Sequence, residues 1–265
     1  MKPSSLLAAT ALVAVLAASA PVSAALLSVD INDRVTADNP DTAPGFSVFS
    51  LDSSSSTTAA LSTPSTAVIN GYTVTLVAFD DGLDENAVTA GVQSTTGQID
   101  DRDRGTPTNS GALTYGQLYD DLVFAGGSTG PTGGMNLSIS GGGLLPNTPY
   151  LVSIYAFDSG STPAPQPRTA NWLDGNNNNA VVLSTSFNAA ELPTTDHQYR
   201  FSGYATTDAN GALLLLGRNT TPNATAGGVS VGVILNGFEV EVPEPASAGM
   251  LGLTAAAALG VRRRR

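Results

Sequence analysis

The chain has 265 residues, 42% of them hydrophobic and 12% charged, and its 22 acidic residues against 11 basic ones set a formal net charge of −11. It has no cysteine and a single histidine. This composition excludes a disulfide scaffold, thiol catalysis and cysteine metal sites, and so acidic a surface repels nucleic acid and anionic lipid.

At the N-terminus, Met1-Lys2 precedes an apolar run over residues 6–20, and Val22-Ser23-Ala24 supplies the small residues that signal peptidase prefers. The pattern reads as a secretory signal peptide over 1–24, with signal peptidase cutting after Ala24 or Ala25. The alternative, an uncleaved anchor, fits poorly with Pro21 and the small residues that follow the run. Export leads to an oxidising compartment, so without cysteine the core alone must hold the fold. The body between the two ends, residues 25–241, is long enough for one well-cored domain. With Lys2 and the four terminal arginines set aside, six basic residues face 22 acidic ones, a net of −16 with no lysine.

The body is rich in Gly, Ser, Thr, Asn and Asp, and its apolar residues come in short runs. Strands are predicted at 26–31, 46–49, 72–79, 135–140, 150–157, 180–187, 198–205, 212–217 and 229–240. Runs of this length bounded by Gly, Pro and Asn-Gly describe an all-β fold, a single β-sandwich or barrel. In 72–79, Val74, Leu76 and Ala78 share one face and Thr73 and Thr75 the other. In 150–157 both faces are apolar apart from Ser153, which suits a central strand covered on both sides. The Asn210-Gly211 step predicts a hairpin between 198–205 and 212–217. Tyr115, Leu118, Tyr119 and Leu122 at i, i+3, i+4 and i+7 predict one short helix, with Thr114 and Gln117 placed as a capping box. Residues 51–66 read as a loop, and 158–168 as a Pro-rich excursion over one end of the sheets.

The search for catalytic machinery is mostly negative. His197 opens a predicted strand with no serine motif nearby, and such a histidine is more often structural or solvated than a base. Ser140-Gly141-Gly142-Gly143-Leu144 reads as a turn, since no phosphate loop has that setting. A glycoside hydrolase needs two carboxylates, and nothing singles out a pair among the 22.

Acidic clusters are the better candidates. Asp80, Asp81, Asp84 and Glu85 follow a predicted strand, 100–104 alternates Asp with Arg, and Asp120-Asp121 sits in the predicted helix. Dense carboxylates suit Ca²⁺, which takes 6–8 oxygens, although the spacing is not that of an EF-hand. The alternative is solvated acidic loops, with Arg102 and Arg104 pairing to carboxylates, and no cofactor. A third constellation joins Tyr155, Arg168, Trp172 and Asp174 around the Pro-rich excursion. An exposed ring beside Asp and Arg equips a surface for sugar, the ring stacking on a pyranose and the polar groups bonding its hydroxyls. The alternative is that Trp172, the only tryptophan, anchors the loop to the core.

The chain ends in Val242-Pro243-Glu244-Pro245, an uncharged apolar run over 246–261, and Arg262, Arg263, Arg264 and Arg265. The prolines cut the strand pattern off. A helix over the 16 residues of 246–261 spans roughly 24 Å, a little short of a ~30 Å hydrocarbon core, and arginine stems can snorkel across the deficit. The arginines act as a stop-transfer signal held on the cytoplasmic side. A buried helix of a soluble domain is the alternative, but this run has no polar face for water.

This tail resembles the PEP-CTERM sorting signal of Gram-negative bacteria, whose signature is also named the ice-binding protein C-terminal domain without implying ice binding. The resemblance covers residues 242–265 and implies recognition by an exosortase, a membrane protease-transpeptidase-like enzyme that removes the helix. It implies passage of the mature protein to the cell surface, often into an exopolysaccharide matrix. More loosely, the body resembles a jelly-roll of the galactose-binding or carbohydrate-binding-module kind. Residues 149–155 after the Leu145-Pro146-Asn147 turn and the closing run 233–240 carry that likeness, which concerns fold alone.

These readings make the protein an exported, non-enzymatic envelope or matrix component, with exopolysaccharide as a possible ligand class. Two other classes stay open: an extracellular glycan-processing enzyme using loop carboxylates, and a self-associating surface-layer protein.

Overall fold

The computed structural model describes residues 25–33, 42–51, 65–79, 98–105, 113–127, 134–161, 167–220 and 230–242. Fourteen strands run through them. The first seven are β1 (Ala25–Asp33), β2 (Ser47–Leu51), β3 (Ser65–Ile69), β4 (Tyr72–Phe79), β5 (Gln98–Asp103), β6 (Asp121–Gly127) and β7 (Gly134–Gly141). The rest are β8 (Pro149–Tyr155), β9 (Arg168–Asp174), β10 (Ala180–Phe187), β11 (Arg200–Thr206), β12 (Leu213–Asn219), β13 (Ser230–Leu235) and β14 (Gly237–Glu241). Among the described residues the helical content is one 3₁₀ turn, Gly116–Tyr119. No helix there is long and apolar enough to cross a membrane.

The strands form a five-stranded sheet ordered β11-β8-β14-β1-β2, a six-stranded sheet ordered β10-β9-β12-β7-β4-β3 and a three-stranded sheet ordered β13-β6-β5. Pairing is antiparallel except between β1 and β2. Period-two alternation builds the layers. Leu27, Val29 and Ile31 of β1, Val152 and Ile154 of β8, and Phe238 and Val240 of β14 leave the inner face of the five-stranded sheet. They meet Val74 and Leu76 of β4, Leu137 and Ile139 of β7, Trp172 of β9, and Leu213 and Leu215 of β12. Two sheets facing each other across one apolar layer make an all-β, sandwich-like fold. Each such buried side chain contributes roughly 1.5–3 kcal/mol.

A second, aromatic cluster lies beyond the five-stranded sheet, formed by Leu118, Tyr119, Leu122, Phe124, Tyr155, Phe157, Phe187, Tyr199 and Ile234. Phe157 stacks on Tyr199 with ring centres 4.8 Å apart, and Tyr119 meets Phe157 edge-on at 6.1 Å. Strand β8 serves both clusters, with Tyr150, Val152 and Ile154 in the first and Tyr155 in the second.

Several sequence expectations change. The predicted helix is only the 3₁₀ turn, followed at once by β6. Leu122, Val123 and Phe124 are consecutive and buried, with Val123 in the first core and its neighbours in the second. Only an extended chain sends adjacent side chains to opposite sides. No side chain caps the turn from within. Asp196 does so from a distance, its Oδ1 accepting from the Thr114 and Tyr115 amides, both at 2.7 Å.

The predicted closing strand is two strands in different sheets, broken at Asn236. The 207–211 turn is tight, with Gly211 at φ 80 and Asp208 Oδ1 accepting from the Asn210 and Ala212 amides, both at 2.8 Å. Yet it is not a hairpin, because β11 and β12 belong to different sheets. Thr207 ties this corner to the neighbouring turn, donating to Leu145 O at 2.6 Å and accepting from Thr148 N at 2.9 Å. A hairpin does form at Asn70-Gly71, where both residues take positive φ (52 and 85) and join β3 to β4, the geometry of a type I′ turn. Thr66, assigned to a loop from sequence, therefore lies in a strand.

Candidate functional site

The outer face of the five-stranded sheet concentrates the polar side chains. Register places Arg200, Tyr155, Gly237 and Asp30 in one row across β11, β8, β14 and β1. The next row is Ser202, Ser153, Glu239 and Ser28, and a third holds Tyr204, Leu151 and Glu241. Residues in these rows share a face because alternate positions point the same way.

Glu239 is the hub. Its Oε2 accepts from Tyr155 OH at 3.0 Å and from Arg200 Nε at 2.9 Å, while Oε1 accepts from Ser28 Oγ at 3.4 Å. Arg200 also donates through Nη2 to Glu241 Oε1, so one guanidinium serves two carboxylates two residues apart on β14. Ser153 and Ser202 hydroxyls bond each other at 2.8 Å. Burial and then the Glu239 carboxylate push the Tyr155 hydroxyl well above the usual tyrosine range. Burial lowers the proton affinity of Arg200, but Glu239, Tyr155 and Glu241 together outweigh it and hold the guanidinium above its ordinary value. At the end of the array the Tyr204 ring stands 61% exposed.

Ser153 and Tyr155 are buried and Glu241 is 8% exposed, so this geometry offers solvent an open Tyr204 ring beside a guanidinium held in place by two carboxylates. It suits recognition of a polyhydroxylated ligand. Both carboxylates are held by Arg200, and the nearest histidine in the chain order, His197, is exposed and lies edge-on to Tyr115 at 5.9 Å.

The sugar-binding constellation expected from sequence is not on the surface. Tyr155, Arg168, Trp172 and Asp174 are all buried, and Trp172 is 0% exposed. Arg168, Trp172 and Asp174 occupy alternate, inward positions of β9. Trp172 belongs to the main core, so its ring cannot stack on a sugar. Arg168 Nη2 donates to Ser161 O at 3.0 Å, and burial lowers its proton affinity while Asp158 counters. Asp174 accepts from Asn176 N at 2.9 Å and Thr206 N at 2.8 Å, pinning β11 to the end of β9. β9 escaped the sequence reading because polar Arg168 and Asp174 take inward positions while Leu173 takes an outer one. Of the four residues, only Tyr155 borders the polar array, through its hydroxyl.

Asp80, Asp81, Asp84 and Glu85 lie outside the described residues, as do Ala24, Pro243, Glu244, Pro245, Arg262, Arg263, Arg264 and Arg265. Ala25 is the first residue of β1, and Val242 directly follows β14. The 100–103 acidic run lies in β5, not a loop, and Asp120 and Asp121 flank the start of β6. Arg104 pairs with Asp158, Nε to Oδ1 at 2.8 Å. Among the described residues no three of His, Cys, Asp and Glu converge as metal ligands.

Sequence reasoning missed the polar array because its members come from four separated strands. Glu239 in the closing run and Glu241 just after it, at alternate positions and matched by Arg200 and Ser202, were the signal available. A scan against protein-family models finds no match for this chain, and a sequence search finds none among curated proteins.

Proposed function

We propose that this chain is an exported, non-enzymatic component of the cell envelope or its exopolysaccharide matrix, sorted by its C-terminal segment. In the finer fold reading it is a jelly-roll, and the outer face of its five-stranded sheet contacts polysaccharide through Tyr204 and the half-buried Arg200, which Glu241 holds in place.

The observation that carries this reading is where the last strand stops: β14 ends at Glu241, directly before Val242 and the expected sorting motif. Ala25 lies opposite Glu241, so both processed ends leave from one pole of the five-stranded sheet. Removing 246–265 would then leave every described strand intact, and a cut after Ala25 would shorten β1 by one residue. On the ligand side, Tyr204 is the large aromatic side chain left open beside the Arg200–Glu241 pair.

Cell fractionation with mass spectrometry of the purified protein tests the sorting. We expect a mature form beginning at Ala25 or Leu26 and lacking 246–265, in the surface or matrix fraction. Full-length protein in the cytosol would overturn it. For the ligand, Tyr204→Ala should weaken retention on the producing cell's own exopolysaccharide by roughly tenfold, the scale of one aromatic contact. Unchanged retention would exclude this face.

A further inference from the structure

We propose that the C-terminal half of β1 carries a divalent-cation site, best suited to Ca²⁺, in which Asp30 Oδ1 and Asn32 Oδ1 are ligands beside the Asp120 carboxylate. Asp30 shares the outer sheet face with the Arg200 and Tyr155 row, but the site uses neither residue and does not depend on the function proposed above.

Asp30 and Asn32 are two apart in a strand, so their side chains leave the same face. They are 0% and 3% exposed. Asp30 Oδ2 accepts the Ala43 amide at 2.8 Å. Asp30 Oδ1 has no hydrogen-bond partner, and neither has Asn32 Oδ1. Buried polar atoms are almost always satisfied, and one left alone costs stability. Here two neighbouring orphans are both oxygens, and the missing partner for a pair of lone-pair donors is a positive centre. Protein cations do not supply it among the described residues. Arg104 is held by Asp158 and Arg200 by Glu239 and Glu241, and the body contains no lysine.

The Asp120 carboxylate lies near enough to act on Asp30 through its charge, which brings a second acidic side chain to the pair. Two carboxylates and an amide oxygen form a hard, all-oxygen set. Ca²⁺ accepts such ligands in flexible geometry, with water and backbone carbonyls completing its shell.

The test melts the full-length chain, purified in mild detergent and stripped with EDTA, while Ca²⁺ is added up to millimolar levels. With Ca²⁺ about 100-fold above its dissociation constant, Tm should rise by roughly 5–10 °C. Asp30→Asn should abolish the rise while its metal-free Tm stays at or above the parent's, because the amide carries no buried charge. Asn32→Ala should weaken the Ca²⁺ response at least ~10-fold, and it carries the same test should Asp30→Asn fail to fold. A rise that persists unchanged in both variants would place calcium elsewhere on the chain and overturn the assignment. No rise in the parent would overturn it too, leaving a protonated Asp30 as the occupant.

Discussion

Trp172 is completely buried, and its indole N–H meets no acceptor. The ring is kept for its volume: Gly217 on the neighbouring strand has no side chain because a Cβ there would lie 3.2 Å from the Trp172 ring and 2.7 Å from Val233 Cγ1. Volume and polarity thus act in opposite directions at one residue. Trp172→Ala should cost about 3–5 kcal/mol through the cavity alone. Trp172→Phe leaves a smaller cavity and removes a donor whose burial costs roughly 1–3 kcal/mol, so it should cost less than about 1.5 kcal/mol. Urea denaturation of the two variants checks the ordering. Equal losses would mean that the indole N–H is satisfied after all.

At the scale of elements, the chain changes sheets at single residues. Asn236 separates β13 from β14 and is 0% exposed. Its backbone N–H donates to Tyr155 O at 3.0 Å and its carbonyl accepts from Ile31 N at 2.8 Å. Its side chain accepts from Phe157 N at 2.7 Å and donates to Asp121 O at 2.9 Å. One amide therefore locks β1, β6 and β8 to the crossing point. Asn236→Ala takes the acceptor from the buried Phe157 N–H and should cost roughly 1–3 kcal/mol. A loss below about 1 kcal/mol in equilibrium unfolding would contradict this reading. The failed helix at 115–122 follows the same logic. Its 3.6-residue spacing collected Leu118, Tyr119 and Leu122 into one cluster as expected, but Val123 had to reach the other core, and a strand was the way to do so.

For the molecule as a whole, the last strand is central. β14 lies between β8 and β1 in the five-stranded sheet, so the sheet closes only when the C-terminal end of the body pairs with its beginning. Such long-range pairing is slow to form, because loop closure precedes the gain from contacts. A chain ending before Gly237 should show no cooperative unfolding transition, since β1 and β8 would each lose a neighbour and the core would lose Phe238 and Val240. A chain ending after Val242 should melt within about 2 °C of one that retains the tail. Thermal melting followed by circular dichroism distinguishes the two. Cooperative melting of the shorter chain would show that β14 is dispensable.

Local patterns by themselves determined that the body is all-β. Strands β4 and β10 were legible to the residue, because alternation within a short run needs no knowledge of partners. So was the turn at Gly141 to Gly143, where backbone freedom is written into residue type. What only the tertiary structure decided is where a strand goes and what its polar side chains meet. The Asn210-Gly211 turn reads as a hairpin until β11 and β12 are seen in opposite sheets. Arg168 and Asp174 read as surface until β9 carries them inward beside Trp172. The Glu239–Arg200–Tyr155 array arises from strands far apart in the chain, and the oxygens of Asp30 and Asn32 are orphaned by what β1 is packed against; burial and pairing across such distances leave no mark on local periodicity.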